Sequence, residues 1–222
     1  MALYSPQTDP KYQRGDAPVA DDPTAGVVVS PDTQRDNRVP DGQYRTRKWP
    51  VLHATAVPQI DSSTWQLTVD GLVEEPLTFS LEQFRELPRI KVFADFHCVT
   101  AWSRLGNLWE GVSLSTLLQR AKVQAAAKFA VVGAYDANWT TNVPLAALLE
   151  SDVLLADTHD GEPIDADHGG PVRLVVPRLF AWKSAKWVNR ITLTADDQPG
   201  YWERLGYHDN GDPWLGQRYR DA

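Results

Sequence analysis

Residues 95–103 read Asp-Phe-His-Cys-Val-Thr-Ala-Trp-Ser, and the fold turns on how this stretch is read. The run KVFADFHCV, 91–99, is apolar enough for a buried strand that delivers Cys98 at its end. In an extended segment successive side chains face opposite ways, so His97 and Cys98 point to different sides. Thr100, Trp102 and Ser103 form a polar and aromatic exit, and loops opening from strand ends commonly carry sites. A lone cysteine in a strand is ordinarily a small buried hydrophobe. Cys98 is the chain's one cysteine. That excludes an intrachain disulfide, a Cys-only zinc site and a protein-ligated iron–sulfur cluster.

Working outward, TWQLTVDGLV at 64–73 alternates apolar and polar residues and predicts a strand ending at Gly71. LTFSLEQFRELP predicts a short helix with Ser80 as cap, Gln83 at the capping-box position and Pro88 as stop. VSLSTLLQRA predicts a second helix capped by Ser113 or Ser115, and NVPLAALLES a third beginning at Pro144. KFAVVGAYD, DVLLADTHDGEP, PVRLVVP and KWVNRITLT predict strands, the last two separated by RLFAWKSA. WPVLHATAVP, broken by Pro50 and Pro58, predicts an extended loop. Residues 1–48, rich in Asp, Pro, Gly and Arg, predict an extended arm preceding a domain over 49–222. QPGYWERLGYHDNGDPWLGQRYR predicts an aromatic coat around that domain. Neither a regular βαβ cadence nor a Gly-rich phosphate fingerprint is present, so the expected class is α+β.

The composition limits the function. With 29 acidic and 22 basic residues, the formal charge is −7, which disfavours a nucleic-acid partner. No stretch approaches the roughly 18–20 apolar residues that cross a bilayer. The N-terminal segment lacks an apolar export core, so the expectation is a cytoplasmic protein with no membrane partner.

Two further patches carry candidate chemistry. In DADHGGPVRLVVP, 165–177, Arg173 lies among Val172, Leu174 and Val175, and a charge there requires a carboxylate or a bound anion. In WKSAKW, 182–187, Lys183, Ser184 and Lys186 supply the hydroxyl and ammonium donors that a phosphate requires, although a pair of exposed lysines would read the same way.

Taken in order, HCVTAWS, the run from Trp109 to Val112, HGGPVRLVVP, WKSAKWV and PGYWERLGYH resemble the sulfite-oxidase-type molybdopterin-binding domain. The likeness is nearest to small bacterial members related to the methionine-sulfoxide reductase catalytic subunit, and it spans roughly residues 49–210. It implies a mixed-sheet α+β fold, a molybdenum–molybdopterin cofactor, and Cys98 as the protein ligand to the metal. It also implies cofactor contacts at His53, His97, His168, Arg173, Ser184, Ala185 and Lys186. A thiolate suits that role because it is a soft donor. The implied activity is oxygen-atom transfer, the reduction of a sulfoxide, N-oxide or N-hydroxylated compound, with a small-molecule substrate and a separate electron-transfer partner. Trp102, Trp109, Trp139 and Trp182 are candidates for the pocket wall.

Sulfite oxidases place an arginine in the loop that here contains Leu52 and His53 instead, so sulfite-type oxidation, the alternative chemistry, is disfavoured for want of a fixed cation facing a small dianion. A nucleophilic pair of Cys98 with a histidine, and a cofactor-free scaffold of the same fold, are the rival readings outside molybdenum chemistry.

Overall fold

The computed structural model describes residues 26–136 and 138–220. Among these, two sheets and four short α-helices form a mixed α+β fold. The first sheet contains β1 (Val27–Val29), β2 (Tyr44–Thr46), β5 (Arg89–His97), β6 (Trp102–Ser113), β9 (Leu154–His159), β10 (Glu162–Pro163) and β11 (Arg173–Val175). The second contains β3 (Gln66–Gly71), β4 (Leu77–Ser80), β7 (Phe129–Ala134), β8 (Thr140–Pro144) and β12 (Val188–Thr194). The helices are α1 (Leu81–Arg85), α2 (Leu114–Ala121), α3 (Leu145–Leu148) and α4 (Tyr201–Arg204).

The central hairpin of the first sheet is β5–β6, antiparallel from Arg89 opposite Val112 to His97 opposite Ser103. Its turn holds Cys98. β6 then pairs with β9, and β9 with β11, which brings Arg173 opposite Ala156. In the second sheet the order is β4–β3–β12–β7–β8. The larger core lies between the second sheet and α2, where Leu67, Val69, Leu117, Val132 and Ile191 are fully or almost fully buried. A smaller core of Phe96, Trp102, Trp109, Ala156 and Val175 surrounds Cys98. Each large apolar side chain removed from water contributes about 1.5–3 kcal/mol.

Helix α1 forms for the local reason expected. The Ser80 hydroxyl accepts from the Gln83 N–H at 3.2 Å, and the Gln83 side-chain carbonyl accepts from the Ser80 N–H at 2.9 Å. Such a cap contributes about 1 kcal/mol. The start of α2 differs: Ser113 precedes it without a capping bond, its hydroxyl instead meeting that of Ser115 at 2.9 Å.

Side-chain pattern does not mark β6, the longest strand. Gly106, Gly111 and the polar residues among its apolar ones obscure the two-residue alternation, and pairing with β5 on one side and β9 on the other makes it a strand. The first 25 residues of the expected arm lie outside the described residues. Residues 26–48 are joined to the sheet, β1 running parallel to β5 and β2 parallel to the start of β6. Backbone pairing with an existing strand supplies the order that an Asp- and Pro-rich composition does not suggest. Among the described residues, no helix is long and apolar enough to cross a membrane.

Candidate functional site

A cavity of about 220 Å³ opens beside the β5–β6 turn. Its walls come from five places: the 49–54 loop, the turn carrying Cys98, the end of β7, the 173–187 segment, and α4 with the residues after it. Six of the eight expected residues line it, namely His53, Cys98, Arg173, Ser184, Ala185 and Lys186.

Cys98 is 8% exposed and accepts a hydrogen bond at its Sγ from the Thr100 hydroxyl, 3.3 Å away. Burial pushes its thiol above the ordinary range, and the Thr100 hydrogen bond and the Arg218 charge act against that rise. Among the described residues Thr100 is the side-chain partner of the sulfur, and no histidine ring is hydrogen-bonded to it. This geometry does not support a nucleophilic Cys–His pair.

Arg173 is 2% exposed and, among the described residues, bonds to no carboxylate. Its two terminal nitrogens donate to the carbonyls of His168, at 2.6 Å, and Ser184, at 3.0 Å, while Nε has no hydrogen-bond partner among the described residues. Trp49, Phe96 and Trp109 place their rings 5.2–5.6 Å from the guanidinium carbon. Burial lowers its pKa to about 9. Lys186 donates to the Asp167 carbonyl at 2.6 Å, and burial together with the Arg173 charge lowers its pKa to about 8. Two cations thus face one cavity at a cost to their charged forms, and a bound anion would relieve that cost. The Ser184 hydroxyl accepts from the Val176 N–H at 3.0 Å, which leaves its own proton to donate.

The backbone beside these cations is packed closely. A Cβ on Gly170 would lie 2.0 Å from the Ile164 carbonyl oxygen, and one on Gly169, whose φ is +105°, would lie 2.8 Å from the Lys186 Cβ. Both positions require glycine. The Gly-Gly pair therefore brings the 165–170 turn against the lysine.

Two expected contacts are placed elsewhere. His97 is fully buried on the opposite side of β5, with Nδ1 2.8 Å from the Ser103 hydroxyl and its ring edge-on to Trp214. Burial holds it toward the neutral form. The alternation of strand side chains, one residue from Cys98, accounts for its position. His168 stands behind the wall: Nδ1 meets both Asp165 oxygens at 2.9 Å, Nε2 lies 3.0 Å from the Trp49 carbonyl, and the ring stacks on Trp49 at 3.9 Å. Its contribution to the cavity is the carbonyl that holds Arg173.

Lys183, read from sequence alongside Ser184 and Lys186, points away from both. It is fully buried, 2.6 Å from Glu203 and 2.7 Å from the Asn142 side chain. Glu203 also accepts from Thr141 and Trp182. This network ties α4 to the cavity wall. Of the four candidate tryptophans, Trp102, Trp139 and Trp182 line the cavity, whereas Trp109 lies behind it against Trp49 and His159. Trp49, Trp187, Trp202, Tyr207 and Asp136 also line it; Trp187, Trp202 and Tyr207 lie in motifs that carry the resemblance, but none of the five is singled out by sequence. They come from loops and from the C-terminal coat, where no local periodicity marks an inward face.

A buried soft sulfur, an unpartnered guanidinium nitrogen, a second lowered cation and a close glycine backbone together fit a metal carried by an organic anion. Residues 54–202, more than half of the chain, match the oxidoreductase molybdopterin binding domain, and the chain belongs to that family. It is 44% identical over 188 residues to the uncharacterized oxidoreductase YuiH of Bacillus subtilis, spanning 84% of this chain and 94% of that one. It is 28% identical to the putative protein-methionine-sulfoxide reductase subunit YedZ1 of Azospira oryzae, over 72% of this chain and 58% of that one. With human mitochondrial sulfite oxidase it shares 27% identity over 86% of this chain, but over only 42% of the human protein. The structure is similar to the sulfane dehydrogenase SoxCD of Paracoccus pantotrophus. The TM-score is 0.60 and the identity 27%, covering 65% of this chain and 42% of that one.

Proposed function

We propose that this chain is a molybdenum-dependent oxidoreductase that reduces a sulfoxide, an N-oxide or an N-hydroxylated compound. The observation that carries the reading is the convergence of Cys98, Arg173, Ser184 and Lys186 on one cavity. Cys98 is the protein ligand to the metal. Arg173 Nε, Lys186 Nζ and the Ser184 hydroxyl hold the anionic tail of the pterin, with the Ala185 backbone between the last two and His53 at the mouth. When bound, the molybdenum–molybdopterin group supplies a two-electron couple that exchanges an oxygen atom with the substrate.

The chain's own residues shape what reaches that group. Trp102, Trp139, Trp182, Trp187 and Trp202 give the cavity apolar, aromatic walls, which select flat or apolar groups and exclude water. Tyr207 lines the same cavity, and burial raises its pKa, so its hydroxyl keeps its proton and can donate to a substrate oxygen. Reduction of a sulfoxide consumes two electrons and two protons and releases water, so a separate electron donor must act between turnovers.

Sulfite-type oxidation is the weaker reading. A small dianion needs a fixed cation facing it. Leu52, 48% exposed, and His53 form the loop where the resemblance expects an arginine, and Arg173 is the arginine among the lining residues.

The test is protein made in a host that supplies molybdenum and pterin. The expected result is near-stoichiometric metal, a thiolate-to-metal charge-transfer band, and oxidation of a reduced dye by sulfoxides, N-oxides or hydroxylamines. Cys98→Ser should lose the band and turnover while retaining pterin. Full activity in Cys98→Ser would refute the assignment, and metal-free protein from a host with verified cofactor synthesis would favour the scaffold reading.

A further inference from the structure

Residues from outside the matched family segment help to hold the Cys98 turn. In the turn itself the Ala101 N–H donates to the Cys98 carbonyl at 3.0 Å, and the Cys98 N–H donates to the Trp102 carbonyl at 2.9 Å. Three further bonds come from the flanking segments. Gln43 donates its side-chain amide to the Cys98 carbonyl at 3.1 Å, and the Tyr44 N–H donates to the Ala101 carbonyl at 2.8 Å. From the segment after the matched domain, Arg218 donates to the Val99 carbonyl at 2.5 Å while stacking over Phe180 at 5.1 Å.

Gln43 is itself held from behind. The Ser103 hydroxyl donates to its carbonyl oxygen at 3.3 Å, and that hydroxyl lies 2.8 Å from the buried His97 ring. His97 and Ser103 are both wholly buried. The approach of residue 43 is fixed upstream, where Arg38 makes a two-point bond to Asp95 at 2.6 and 2.8 Å. The Arg218 guanidinium thus lies against the backbone of the residue that follows Cys98.

We propose that Gln43 and Arg218 are positioning residues that clamp the Cys98 turn from the segments flanking the matched domain, and that the Arg218 guanidinium, bonded to the carbonyl next to Cys98, tunes the electron density of the Cys98 sulfur. This rests on Cys98 being the metal ligand. Hydrogen bonds and charges just outside a ligand orient it and set the properties of its metal. A positive charge beside the sulfur stabilises the reduced, more negative state of the centre. It also lowers the energy of the sulfur electrons from which charge transfer starts.

Three variants of the loaded protein test this: Arg218→Gln, Arg218→Lys and Gln43→Met. Each is read by metal content, charge-transfer band position and spectroelectrochemical midpoint potential. Glutamine and lysine at 218 can both donate to the Val99 carbonyl, but only lysine keeps the charge. The expected result is a band shifted to lower energy and a lowered potential in Arg218→Gln, both restored in Arg218→Lys. Gln43→Met should broaden the band, because the turn loses one pin. Equal band and potential in wild type and Arg218→Gln, with only thermal stability reduced, would overturn the tuning role. An unbroadened band in Gln43→Met would overturn the clamp. A loaded wild-type protein without any thiolate band would refute the metal-ligand reading itself, and this proposal with it.

Discussion

Replacing Arg173 with methionine separates a structural cation from one that waits for a ligand. The side chain is 2% exposed, and burial lowers its pKa from 12.5 to about 9. At 1.36 kcal/mol per pKa unit, keeping the charge in the folded chain at neutral pH costs about 5 kcal/mol. Methionine removes that cost. It leaves the carbonyls of His168 and Ser184 without this donor, at about 1–3 kcal/mol each. It also gives up cation–π contacts, partly replaced by thioether packing on the same rings. The terms offset one another, so the cofactor-free variant should unfold in urea within about 2 kcal/mol of wild type. A buried arginine paired with a carboxylate would instead cost about 3–5 kcal/mol on removal. Metal loading in a pterin-producing host should fall about tenfold or more, the scale seen when groups supporting a bound metal are lost. A large stability loss in the cofactor-free protein with unchanged loading would refute the reasoning, since Arg173 would then be structural.

Lys186 carries a pH signature. Its folded pKa of about 8 lies below the ordinary 10.5, so the folded chain sheds this proton before the unfolded chain does. Relative to Lys186→Met, the cofactor-free wild type should gain stability as pH rises from 8 to 10.5, measured by thermal melts. Lys183→Met should destabilise by about 3–5 kcal/mol in urea, because Glu203 is left as a buried, uncompensated charge. Lys183→Met with Glu203→Gln should recover more than half of that loss, and additive losses in the double variant would contradict the pairing. Gly169→Ala forces a Cβ against Lys186 and an alanine into left-handed backbone, costing about 1–3 kcal/mol, and should reduce cofactor loading in the same samples.

What depends on near neighbours is legible in the chain alone. Ser80 and Gln83 satisfy one another across a single turn, so the α1 cap can be read without a fold. Strand alternation places His97 and Cys98 on opposite faces, although the family resemblance counts both as cofactor contacts. An arginine among Val172, Leu174 and Val175 announces a need for a partner, and the double glycine before it announces close packing. The order of these motifs is sufficient for the family.

Which partners those groups meet is settled by the assembled fold. The 12 residues of β6 become a strand because β5 and β9 flank them, and residues 26–48 join the sheet by backbone pairing that side-chain pattern does not encode. Lys183 and Lys186 lie three positions apart and read alike. A short 3₁₀ turn over Ala181–Lys183, and a left-handed Trp187 with φ of +52°, send one to Glu203 and the other to the cavity. Arg173's lack of a carboxylate among the described residues, and the hold of Gln43 and Arg218 on the Cys98 turn, are relations between distant parts of the chain. They depend on where whole strands dock, and a linear reading carries no measure of that.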